Sequence, residues 1–88
     1  MDEPIDVRRK RLRFRSWYRG TKEIELMLGR FADARLDQLT PEQLDGYEAL
    51  LATPDPDLYQ WINGEKPAPA SCDGGVLKLL RNFTYQSR

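Results

Sequence analysis

In the stretch RSWYRGTKEIELMLGRFAD, residues 15–33, a cation, a glycine, a second cation and a carboxylate follow one another closely: Arg19, Gly20, Lys22 and Glu23. Groups of these types suit recognition. Guanidinium and ammonium groups donate to a partner's carboxylates and carbonyls, a carboxylate accepts from its donors, and glycine lets a foreign backbone come close. Catalysis would need more than this. The 88 residues contain no histidine, which removes the commonest general base at neutral pH and the commonest metal ligand. Cys72 is the single cysteine, so neither an intramolecular disulfide nor a thiolate metal cluster can form. No nucleophile stands with a base. The expectation is a chain that is not an enzyme, with no catalytic residue and no metal site.

Charge is unevenly distributed. Arg8, Arg9, Lys10, Arg11, Arg13, Arg15, Arg19 and Lys22 fall between residues 7 and 22 without an acid, whereas residues 23 to 73 set many acids against Arg30, Arg35 and Lys66; the formal net charge is zero. A basic end on an acidic body would steer an anionic surface toward that end. Arg11 and Arg15 therefore join Arg19, Gly20, Lys22 and Glu23 as candidate partner-binding residues. The same bases, interleaved with Phe14, Trp17 and Tyr18, also suit nucleic acid or a general protein-interaction module. The acidic body weighs against a broad nucleic-acid footprint.

The elements that must position these residues are all helical. From Val7 to Tyr18 no Gly or Pro interrupts, and Phe14, Trp17 and Tyr18 at i, i+3 and i+4 share one face of a first helix. Gly20 is placed to end it in a left-handed conformation. Thr21 can cap a second helix with Glu23 in its first turn, where negative charge suits the macrodipole. Ile24, Met27, Leu28 and Phe31 continue at helical spacing, so Gly20 is the corner of a helical hairpin. Thr40, Pro41, Glu42 and Gln43 combine a capping box with proline at the first helical position, and Leu44, Tyr47 and Leu51 mark the third helix's buried face. Asp55, Pro56 and Asp57 repeat the device before Leu58, Trp61 and Ile62; Asn63 and Gly64 stop that short fourth helix.

Residues 64–71, GEKPAPAS, read as an extended connector because Pro67 and Pro69 lack amide donors. Val76, Leu79, Leu80 and Phe83 give a fifth stripe, with Cys72 near its start. No run alternates with period two. The expectation is an all-α, single-domain bundle of five short helices spanning 1–88, its core about 7–83, with residues 1–6 and 84–88 as flexible ends.

Composition, 40% apolar and 32% charged, is that of an ordinary globular chain. No apolar run is long enough to cross a bilayer, and MDEPID resembles neither a secretory signal nor a transit peptide. A cytoplasmic protein, monomeric when free, is expected.

The ordered combination of KRLRFRSWYRGTKEIELMLGRFAD with PDPDLYQWINGEKPAP resembles the SdhE family, the small FAD assembly factors of succinate dehydrogenase, over residues 8–83. Its marks are an RGxxE turn after a basic helix, LxxFA, DPDLxxW and a GxxP connector. The resemblance implies a five-helix bundle that binds the flavoprotein subunit of succinate dehydrogenase, and often of fumarate reductase, and promotes covalent attachment of FAD. The acceptor histidine and the flavin belong to the client, so no cofactor is expected to bind this chain stably. The family's functional turn maps onto Arg19, Gly20, Lys22 and Glu23. Thr21 departs from it, standing where the family usually has methionine.

Overall fold

Helix formation begins at Ile5, where Pro4 supplies the preceding turn and the Arg8 amide closes the first bond onto the Pro4 carbonyl at 2.9 Å. The computed structural model describes residues 3–69 and 75–86. Within them run α1 (Ile5–Trp17), α2 (Lys22–Arg35), a one-turn 3-10 helix (Leu36–Gln38), α3 (Pro41–Leu51), α4 (Asp55–Ile62) and α5 (Gly75–Gln86), and no strand. The expected five-helix all-α bundle is what the chain forms. Helix α1 starts two residues before the expected Val7, α5 continues past Thr84, and the 3-10 turn was not anticipated. Cys72 lies outside the described residues.

Packing follows the apolar stripes. Helix α1 lies chiefly against α2, and α3 against α5. Ile24, Leu28 and Phe31 of α2, Leu44, Tyr47 and Leu51 of α3, and Leu58 and Ile62 of α4 are buried together as expected. Two assignments change. In α5 the buried set is Val76, Leu77 and Leu80, with Leu79 exposed, because the helix turns its i, i+1, i+4 edge inward. In α1 the three aromatics do not act as one face. Leu12 and Ser16 are buried, Trp17 packs sideways onto α2, and Phe14 and Tyr18 point outward with their rings stacked at 4.3 Å.

Trp17 explains a glycine. A Cβ at Gly29 would stand 2.3 Å from the Trp17 ring, so the absence of a side chain there lets α1 and α2 approach with the indole between them. The indole Nε1 then donates to Asp33 at 3.3 Å. Deeper in, the Ser16 and Tyr47 hydroxyls share a hydrogen bond at 2.5 Å, with the Leu12 carbonyl 2.8 Å from Ser16 Oγ and the Leu28 carbonyl 3.2 Å from the Tyr47 hydroxyl. This polar node ties α1, α2 and α3 together without an unsatisfied oxygen. Burial pushes the Tyr47 phenol up, so it stays protonated.

The expected capping box of α3 is present. Thr40 Oγ1 accepts from the Gln43 amide at 3.2 Å and Gln43 Oε1 from the Thr40 amide at 2.9 Å, with Pro41 next in line. Among the described residues the left-handed glycine is Gly64, φ 76°, soon after α4. Gly20 has no positive φ.

Candidate partner-docking corner

The connection between α1 and α2 is short, and its shape is set from below. Arg19 turns inward, its side chain 10% exposed. Its Nε donates to Asp55 Oδ1 at 2.8 Å, its Nη2 to the Thr53 carbonyl at 2.7 Å, and its Nη1 to the Leu51 carbonyl. Leu51 and Thr53 flank the end of α3, where carbonyls lack intrahelical partners. One guanidinium thus satisfies the end of α3 and pairs with the first residue of α4. Only a planar fork of donors can serve three such oxygens at once.

Asp55 completes the arrangement. Its Oδ2 accepts from the Thr21 amide at 3.1 Å, while Glu25 reaches back so that its Oε2 accepts from the Arg19 amide at 3.0 Å. Burial pushes the Asp55 carboxyl up, but the hydrogen bonds from Arg19 and Thr21 and the guanidinium charge bring it below the usual carboxylate range. Backbone amides on both sides of Gly20 are therefore fixed by carboxylates. Three expectations are corrected. Thr21 stands at the N-cap but its hydroxyl makes no capping bond. Asp55 does not cap α4, whose N-cap position is Pro54. Arg19, expected among the partner-contacting residues, is enclosed within the fold.

Gly20 itself is exposed, and a Cβ built on it would meet only Asp55 Oδ2, at 3.9 Å. Neither a left-handed φ nor an internal clash requires glycine here. Beside it a shallow cleft of about 250 Å³ is lined by Thr21, Glu23, Ile24, Asp55, Pro56 and Tyr59. Glu23 is exposed on its rim, with Oε1 accepting from the Tyr59 hydroxyl at 3.0 Å. Lys22 is exposed next to it. Gly20, Lys22 and Glu23 are thus brought together at the surface, with Arg19 beneath them as their fastening.

Much of the basic run is occupied. Arg8 pairs with Asp45 at 2.6 Å and Glu48 at 3.1 Å, Arg11 with Glu3 at 2.8 Å and Glu48 at 3.2 Å, and Arg13 with Asp37 at 3.3 Å. Arg9 donates to the Leu39 carbonyl at 3.0 Å. A hydrogen bond from Arg11 holds the Glu48 carboxyl below its usual range. The basic end and the acidic body largely face each other, leaving Arg9, Lys10, Arg15 and Lys22 without an ion pair among the described residues. Arg11, one of the candidate partner-binding residues, bridges α1 and α3 through Glu48.

Asp55, Glu25 and Tyr59 were not among the candidates read from the sequence. Tyr59 follows Asp55 by four residues on α4, a spacing that places it on the same face. The Arg19–Asp55 pairing joins positions 36 residues apart, and no local pattern signals it. Among the described residues no group of side chains could hold a metal ion, and no helix is long and apolar enough to cross a membrane.

Comparison with known proteins is consistent across nearly the whole chain. The Sdh5 family, described as flavinator of succinate dehydrogenase, matches residues 10–84. The chain is 40% identical to the FAD assembly factor SdhE of Acetobacter pasteurianus over 87 residues, covering 99% of this chain and 77% of that one. It is 40% identical to the mitochondrial succinate dehydrogenase assembly factor 2 of Dictyostelium discoideum, covering 89% of this chain and 55% of that one. For the corresponding protein of Debaryomyces hansenii the values are 48%, 90% and 58%. The chain thus spans little more than half the length of these mitochondrial relatives.

Proposed function

This chain belongs to the Sdh5 family, the flavinators of succinate dehydrogenase, and from that membership we propose that it is an assembly factor: it binds the flavoprotein subunit of succinate dehydrogenase and promotes covalent attachment of FAD to it. The observation that carries the proposal is Gly20. It is exposed, free of backbone strain and free of internal crowding, so its missing side chain serves something outside the chain. A partner backbone can lie flat on the corner, with Glu23 and Lys22 beside it to accept and donate.

The acceptor histidine and the flavin belong to the client. This chain holds the flavoprotein in a conformation in which attachment proceeds, and carries no flavin of its own. Four hydrogen bonds under the corner, those of Arg19 and Thr21 with Asp55 and of Arg19 with Glu25, keep its shape before the partner arrives, which limits the ordering cost of binding. A fumarate reductase flavoprotein is a second client, and the site of action is the cytoplasm, where the free protein is a monomer.

A pull-down from the native cytoplasm with tagged protein tests the proposal. The flavoprotein subunit should be retained by the wild type and lost with Gly20→Arg. Retention by both would remove the corner from the interface, and retention by neither would remove the client.

A further inference from the structure

Helix α1 carries a second feature that the corner does not use. At 100° per residue, Val7, Phe14 and Tyr18 fall within roughly 40° of arc, on the side opposite Leu12 and Ser16. All three are exposed, Val7 at 52%, Phe14 at 61% and Tyr18 at 70%. They form a continuous strip. The Phe14 and Tyr18 rings are stacked, and between Val7 and Phe14 lies a trough of about 340 Å³ walled almost wholly by carbon, including the stems of Lys10, Arg11 and Arg15. Isolated exposed apolar residues need no explanation, but a contiguous patch with cations at its rim marks an interaction surface.

We propose that this stripe is a docking surface for an acidic, apolar-faced segment of the client flavoprotein, continuous with the glycine corner. The inference rests on the flavoprotein being the client. Lys10 stands on one flank of the stripe and Arg15 on the other, both without an ion pair among the described residues, so the occupant carries carboxylates opposite them. Tyr18 is two residues from Gly20, within about 8 Å along the chain, so one partner covers both. The stripe extends the footprint by roughly 16 Å along α1. Nucleic acid is a poorer fit, because the neighbouring arginines are held by Asp45, Glu48, Glu3 and Asp37 and a phosphate track needs a row of free cations. A membrane is poorer too, since the opposite face of α1 is packed into the bundle and the stripe itself offers only Val7, Phe14 and Tyr18.

The test uses purified flavoprotein subunit lacking FAD, immobilised, against wild type, Phe14→Ser/Tyr18→Ser and Lys10→Glu/Arg15→Glu. Both double variants alter exposed or half-buried side chains, and circular dichroism should show unchanged helicity and melting. The serine pair should weaken binding by roughly tenfold or more, chiefly through faster dissociation. The glutamate pair should slow association at low salt, with the difference fading as salt is raised. If wild type binds and the serine pair binds equally, the stripe is not a docking surface while the client stands. If wild type itself does not bind, the client reading fails first. Parallel titrations use vesicles of phosphatidylglycerol and phosphatidylcholine, and a poly-dT oligonucleotide. Wild-type binding to either that is lost in the serine pair would overturn the protein occupant in favour of lipid or nucleic acid.

Discussion

Arg19 and Asp55 meet beneath the glycine corner, with the guanidinium Nε 2.8 Å from the carboxylate Oδ1 and both side chains largely enclosed. The residue that opens the RGxxE turn and the residue that opens the DPDL segment are two halves of one clamp. Breaking such a pair strands the remaining charge, whereas losing an exposed pair costs little.

Asp55→Ala and Arg19→Ala should each destabilise the bundle by about 2–3 kcal/mol, and the double variant by little more than either alone. Urea unfolding of the four proteins measures this. Additive losses would show that the two residues stabilise the fold independently. Arg19→Lys should recover only part of the loss, since an ammonium cannot span Asp55, Leu51 and Thr53 as a fork.

The same clamp sets a pH dependence. Asp55 and Glu48 both have folded pKa values below the ordinary range. Such groups contribute stability that is fully present above the unfolded carboxylate values, about 4, and is lost as pH falls through the lower folded values. The melting temperature should hold near pH 6 and drop below about pH 4. Asp55→Asn should start lower at neutral pH and fall less steeply, so the two curves converge in acid. Parallel curves would mean that Asp55 is not depressed in the folded state.

Gly29 and Gly20 should respond in opposite ways. Gly29→Ala drives a methyl into the Trp17 ring and should cost about 1–3 kcal/mol. Gly20→Ala meets only ordinary contact and should change stability by no more than about 0.5 kcal/mol. Gly20→Arg should likewise stay folded while losing the flavoprotein in a binding assay. An unfolded Gly20→Arg would give the glycine a structural role that neither its φ nor its surroundings account for.

Local physics made most of the fold legible. The Thr40–Gln43 capping box and the apolar spacing of Ile24, Leu28 and Phe31 are short-range patterns, and they reappear unchanged in the structure. Short-range reasoning also erred where two uses of a residue compete. Gly20 was expected to be the left-handed corner and Asp55 a helix cap. Among the described residues the left-handed glycine is Gly64, and Asp55 turns away from its own helix to serve Arg19 and Thr21. Similarly, the free basic end was an inference from linear charge blocks. Folding brought Arg8 and Arg11 onto Glu48, a neutralisation that depends on how α1 crosses α3 and has no trace in either segment alone.

The central claim is that this chain promotes attachment of FAD to the succinate dehydrogenase flavoprotein through the corner that Glu23 borders. Glu23 is exposed and accepts a hydrogen bond from the Tyr59 hydroxyl, so Glu23→Gln should leave the bundle and its cellular level intact. The direct measurement is in-gel fluorescence of the denatured flavoprotein from cells with the gene deleted, restored with wild type, or restored with Glu23→Gln. Covalent flavin should be depleted in the deletion, recovered with wild type and reduced with Glu23→Gln; undiminished fluorescence in the deletion would contradict the account.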